Sequence, residues 1–160
     1  ICNASLRAQK PFQEITVEEW HRTIAVTLDG AFFCARAAAP HMINNRWGRI
    51  IGLGGMSSNL GIAKRLHVLA AKAGLVGMMR GLATELAPHN ITCNIVAPGH
   101  IETDRPNSAG PRPRNNIPPP INRRGDVEEI AGMIHYLCLP EADYITGQTM
   151  HVNGGIYYGV

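Results

Sequence analysis

Along this chain apolar residues recur in two distinct periods. From Thr16 onward they stand four apart, at Trp20, Ile24, Leu28 and Phe32, which is the spacing of one helix face. Thr16 and Glu19 make a capping box at the head of that run, each side chain able to satisfy a free backbone N–H near the other. The helix is expected to run toward Met42, with Pro40 disturbing its last turn. A second helix is expected from about 67 to 87, where Ala70, Ala71, Ala73, Gly74, Gly77 and Gly81 leave a surface small enough for close packing, and Pro88, His89 and Asn90 end it. A third opens at Asp126 with Glu129 three residues on and carries Ile130, Ile134 and Leu137 on one face. Between the helices lie short apolar runs at 49–53, 91–96 and 149–152, each read as a buried strand. Ile1 and Cys2 read as the end of one more.

Strands alternating with helices imply an α/β fold whose parallel strands are joined by right-handed crossovers. In such sheets ligands bind beyond the carboxyl ends of the strands. That rim holds Asn3, the glycine-rich segment Gly54 to Ser58, and Pro98 to Thr103. Between the second and third helices, residues 106–120 contain six prolines, too many for a regular helix or a central strand. A long loop is expected there, of the kind that often serves as a lid. No internal repeat is visible, and the 160 residues form one domain with a proline-rich substrate-loop region at 104–125.

Composition narrows the function classes. A net charge of +3 falls short of the dense basic stripe of a nucleic-acid binder. No stretch is expected to reach the length of a membrane span. The cysteines Cys2, Cys34, Cys93 and Cys138 sit in apolar surroundings without a C-x-x-C pair; they are read as buried free thiols, which suits a reducing, cytoplasmic setting. The seven histidines show no metal-ligand spacing, so no metal site is assigned.

Four motifs, in order, carry a resemblance. Asn3, Ala4 and Ser5 resemble the Asn-Ala-Gly turn after the fourth strand of the classical short-chain dehydrogenases/reductases. The run Ala70, Ala71, Lys72, Ala73, Gly74 is similar to the segment around that family's active-site lysine. Residues 94–103 resemble its nicotinamide-side turn, and residues 144–155 its last strand, especially in the 3-oxoacyl-carrier-protein reductases. The resemblance covers residues 1 to about 158. It implies a doubly wound, Rossmann-like parallel sheet that lacks the first strands and the glycine-rich cofactor loop. The phosphate-binding strand–turn–helix of that family has no counterpart in this sequence: Gly52, Gly54 and Gly55 match the fifth strand, and no helix is expected directly after them. On the family's domain size, roughly 80 residues would precede Ile1.

The family's catalytic positions, taken one at a time, are mostly altered. Lys72 matches the lysine that bonds the cofactor ribose and lowers the pKa of a tyrosine four residues earlier, but Val68 stands where that phenol belongs. Gly55 stands where a serine would hold the substrate carbonyl, and Thr27 where an asparagine would complete a proton relay. General acid–base chemistry needs a group poised near the working pH, so His67 and Ser57 are candidate replacements, with Ser58 beside the latter. His67 is one residue from Val68, and one step along a helix turns a side chain by about 100°, so it is expected to point away from the valine's direction unless the helix start is irregular. Tyr136, Tyr144, Tyr157 and Tyr158 lie on other elements and are expected to pack or face a partner. Arg112, Arg114, Arg123 and Arg124 flank the proline-rich loop as solvated cations or as contacts to an acidic carrier or phosphate.

The resemblance thus implies an NAD(P)-dependent oxidoreductase acting on a small carbonyl or alcohol. Asn3, Ala4, Lys72, Pro98, Gly99, Ile101 and Thr103 are the expected contacts of NAD or NADP. Lys72, His67 and Ser57 are the candidate catalytic groups. The alternative is a catalytically inactive relative or fragment that serves only in assembly. A homo-oligomer, dimer or tetramer, is expected through the 17–42 helix and the small-residue helix, with no nucleic-acid or membrane partner.

Overall fold

The computed structural model describes residues 1–104 and 117–159. Its centre is a parallel sheet of β1 (Gly48–Leu53), β2 (Ile91–Pro98) and β3 (Thr149–Val152), in that order. Gly48 pairs with Ile91 and Leu53 with Val96; Ile95 pairs with Thr149. Cys2 extends the sheet past β1 by a parallel bridge to Gly52, with hydrogen bonds to Ile51 and Leu53 of 2.8 and 2.9 Å. The expected α/β architecture is therefore present, strand by strand.

Alternation along the strands sends side chains to two faces, and each face has its own core. On one, Ile50, Cys93, Ile95 and Ala97 pack against Leu75, Met79 and Ala83 of α4 (Leu66–Leu86) and Ala31 and Ala35 of α2 (Gly30–Asn45). On the other, Ile51, Leu53 and Val96 pack against Ile130 and Leu137 of α5 (Val127–Cys138). Continuous burial along β1 and β2 explains why those strands read as unbroken apolar runs rather than alternating ones. Arg49 is the exception within β1: its guanidinium pairs with Asp143 and lies 5.0 Å from the Trp47 ring centre, so a buried charge keeps a partner.

Both capping boxes form. Thr16 accepts from the Glu19 N–H and Glu19 from the Thr16 N–H at the start of α1 (Val17–Ile24); Asp126 and Glu129 do the same for α5. Arg123 grips Glu129 at 2.7 and 2.8 Å, and this bond, ahead of the Asp126 N–H, draws the Glu129 carboxyl down to about 2.

Five expectations need correction. Pro40 does not disturb the last turn of the long helix, which continues past Met42 to Asn45 and stops where Arg46 turns left-handed at φ 49°. Proline removes one N–H and leaves the next turn free to form, and Met42 and Ile43 anchor that turn on the core. The long helix is also not uniform: residues Ala25–Asp29 form a π-turn between α1 and α2. A one-turn helix, α3 (Ser57–Leu60), does follow the glycine-rich segment. Cys34 is exposed, and Cys2 and Cys138 are only partly covered, so Cys93 is the one fully buried thiol. Finally, one helix, spanning 24 residues from Leu66 to His89 with mean hydropathy 1.2, is long and apolar enough by length and composition to cross a membrane. Its alanines raise that value without bulk, and in this fold its Leu75, Met79 and Ala83 lie against the sheet.

Of the proline-rich region, Pro106, Pro111, Pro113, Arg112 and Arg114 lie outside the described residues.

Candidate functional site

A cleft of about 450 Å³ opens at the carboxyl ends of β1 and β2, where a parallel sheet leaves strand-end backbone groups and loops converging on one rim. Its floor is built by short backbone bonds. Gly54 donates to Val96 at 2.8 Å, Met56 to Pro98 at 3.2 Å and Gly99 to Val152 at 2.9 Å. Gly99 has no room for a side chain, since a Cβ there would lie 2.5 Å from the Asn153 Cα. The 101–104 segment is held by Glu102 donating to Gly125 and Gly125 donating to His100, at 2.8 and 2.9 Å.

The structure brings most of the expected residues to this cleft. Asn3, Ser57, Lys72, Pro98, Gly99, Ile101 and Thr103 all line it, as do Val68 and Gly55. Val68 and Lys72 are one helical turn apart on α4, so both side chains meet the same wall. The Lys72 ammonium donates to the Leu53 carbonyl at the end of β1. Burial, with the nearby Arg7 cation as the smaller cause, lowers its pKa to about 8. Ser57 stands beside Gly55: its Oγ is 3.6 Å from where a Cβ on Gly55 would stand. Ser58 turns away and donates to the Gly55 carbonyl at 2.8 Å.

Two expected residues are not brought to the wall. Ala4 does not line the cleft, and neither does His67. His67 is buried, its Nδ1 has no hydrogen-bond partner, and Glu19 of α1 is the carboxylate that acts on it; burial is the first cause of its lowered pKa. Its ring therefore belongs to the packing between α4 and α1. None of the four tyrosines lines the cleft: Tyr136, Tyr144 and Tyr158 are exposed, and Tyr157 lies edge-on to His151 with ring centres 4.8 Å apart. Thr27 is buried inside the π-turn and reaches the cleft only through Ser5, to which its hydroxyl lies at 3.4 Å. Of the flanking arginines, Arg124 lines the cleft, paired with Glu102 at 2.8 Å, whereas Arg123 is engaged with Glu129.

Sequence reasoning missed Arg7 and Arg65, both on the cleft wall. Arg65 donates to the Arg7 carbonyl at 3.1 Å, across 58 positions of chain. A contact between two irregular segments leaves no periodic signal, so only their nearness to the Asn3 and Lys72 motifs hinted at it.

Comparison with known proteins agrees with this geometry. A family model described as enoyl-(acyl carrier protein) reductase matches residues 1–157. The chain is 39% identical over 157 residues to the 3-oxoacyl-[acyl-carrier-protein] reductase FabG of Salmonella typhimurium, covering 97% of this chain and 64% of that protein. It is 36% identical over 157 residues to the FabG of Aquifex aeolicus, covering 63% of it. Among solved structures, acetoin dehydrogenase YohF from Salmonella typhimurium superposes with a TM-score of 0.84 at 36% identity, over 96% of this chain and 61% of that one. The chain thus spans just under two thirds of the length of these relatives. With the matched model running nearly end to end, the chain belongs to the short-chain dehydrogenase/reductase family and within it is similar to the 3-oxoacyl-carrier-protein reductases.

Proposed function

We propose that this chain forms the nicotinamide-side half of an NAD(P)-dependent oxidoreductase site for a small carbonyl or alcohol, in which Lys72 replaces the missing phenol as proton donor. The observation that carries the reading is Lys72 itself, beside an aliphatic Val68 and with its pKa lowered to about 8. Catalytic lysines are tuned to about 7–8 by burial and neighbours, because a general acid works best near the ambient pH.

The residues present fit the nicotinamide-ribose end of the cofactor. Asn3 and Lys72 offer polar groups on one side of the cleft, Thr103 with Ile101 on the other, and the Pro98–Gly99 turn leaves the backbone accessible between them. A bound nicotinamide would supply the hydride. The protein's part is to hold the carbonyl and to deliver one proton to its oxygen. An ammonium has three N–H bonds; on Lys72 one goes to the Leu53 carbonyl, leaving one for a ribose hydroxyl and one for the substrate oxygen. Ser57 supplies the second hydrogen bond to that oxygen, from beside the place that Gly55 leaves without a hydroxyl. Val68, Met56 and Ile62 make the surrounding wall apolar, which favours transfer of the proton over its loss to water. His67 serves packing rather than proton transfer, so His67→Ala would alter stability and leave the pH dependence of turnover in place.

The test is carbonyl-dependent oxidation of NADPH by the purified chain. Lys72→Met should lower the rate by on the order of 10²-fold or more, and Ser57→Ala should lower kcat/KM by about 3- to 10-fold, the worth of one neutral hydrogen bond. A rate indifferent to Lys72→Met would reject the role. Loss of both family hydroxyl groups, at Gly55 and Val68, favours a second reading, in which the chain is a non-catalytic partner in assembly. That reading requires that no carbonyl be turned over by a highly purified sample. In either case the exposed Phe32 and Phe33 on α2 and the open Gly77 and Gly81 on α4 form the surface for self-association.

A further inference from the structure

The charged side chains that line the cleft are all cations: Arg7, Arg65, Lys72 and Arg124, with no aspartate or glutamate among the described lining residues. Four cations among the described residues carry carboxylates. Lys10 holds Glu19, Arg49 holds Asp143, Arg123 holds Glu129, and even Arg124 at the cleft's edge holds Glu102. Arg7 and Lys72 have no carboxylate within ion-pair reach among the described residues. The fold brings them together nevertheless. Arg65, which is buried, ties the Arg7 backbone down at 3.1 Å, and the Arg7 charge disfavours the charged form of Lys72. Like charges gathered in a low-dielectric cleft repel one another, and an anion entering there relieves that repulsion while meeting planar guanidinium forks suited to oxyanions.

We propose that the cleft takes a substrate bearing an oxyanion, a carboxylate or phosphate, held by Arg7 and Arg65, with its uncharged carbonyl portion on the apolar wall beside Val68. The site therefore selects a small oxo acid over its neutral ester. This deepens the oxidoreductase reading and rests on it for the identity of the reacting group. Arg7 is a binding residue here, and its exposed side chain can be changed without disturbing the core.

The experiment titrates the 160-residue chain calorimetrically at pH 7 with acetoacetate and with methyl acetoacetate, then repeats the acetoacetate titration in inorganic phosphate. Acetoacetate should bind at least about tenfold tighter than the ester, the range of one charged hydrogen bond. Arg7→Gln should abolish that preference and Arg7→Lys should retain most of it. Competition by phosphate assigns the site to oxyanions at large; its failure to compete assigns the site to carboxylates. Equal binding of acid and ester, or a preference that survives Arg7→Gln, overturns the proposal. NADPH titrated by its fluorescence in the same preparation separates the two readings. A chain that prefers the acid yet does not bind NADPH keeps the anion site and sinks the oxidoreductase reading. A chain that binds NADPH without preferring the acid does the reverse.

Discussion

Lys72 concentrates both the chemistry and its thermodynamic penalty. Its pKa is about 8 in the folded chain against an ordinary 10.5, so between those values the unfolded chain binds more protons than the folded one. Stability must then rise with pH from about 8 to 10.5, and at neutral pH the buried charge opposes folding by on the order of 3 kcal/mol at most. Lys72→Met should accordingly raise the melting temperature at pH 7 and flatten the rise above pH 8; thermal melts of both proteins across pH 6–10 check this. Val68 and Gly55 allow the opposite experiment. A serine at 55 meets only the Ser57 Oγ, at an ordinary 3.6 Å, and Val68 already faces the cleft. The pair Gly55→Ser and Val68→Tyr should thus fold and should raise carbonyl-dependent NADPH oxidation on the order of 10²-fold. That Val68 and Lys72 share a wall could be read from the sequence alone, because a spacing of four on a helix puts two side chains on one face. The Arg7–Arg65 contact was not legible, because nothing in either segment's pattern specifies a long-range meeting of loops.

At the scale of elements, the strands were the most legible part. β1 and β2 are buried on both faces, so their sequences carry no competing helical period, and the expected and observed bounds differ by two residues or fewer at each end. The capping boxes were equally direct, since a side chain and a backbone N–H three residues apart need no tertiary context. What local pattern does not encode is the path of a helix through its packing. The π-turn at Ala25–Asp29 absorbs one residue where α1 hands over to α2 against α4, and Pro40 is carried through by core contacts beyond it. The glycine at 99 belongs to this scale as well. A Cβ there collides with backbone rather than with a flexible side-chain end, so Gly99→Ala should cost about 1–3 kcal/mol and displace the 98–103 turn. A urea titration would show the loss, and weakened NADPH binding would show the displacement.

The molecule as a whole presents a rim that is positively charged and apolar, backed by a sheet with a separate core on each face. Its two outer helices expose small residues and the Phe32–Phe33 pair. Self-association through α2 and α4 makes a clean prediction: Gly77→Arg meets nothing within 4 Å in the folded chain, so the fold should persist while the oligomer dissociates, as sedimentation velocity would show. The proposed chemistry turns on how the proton reaches the substrate oxygen. Arginine at position 72 would keep the positive charge but hold its proton at any working pH. Carbonyl-dependent NADPH oxidation by the unaltered chain should fall as pH rises through about 8, and Lys72→Arg should lose about two orders of magnitude at pH 7. A Lys72→Arg variant that works at the unaltered rate would contradict it.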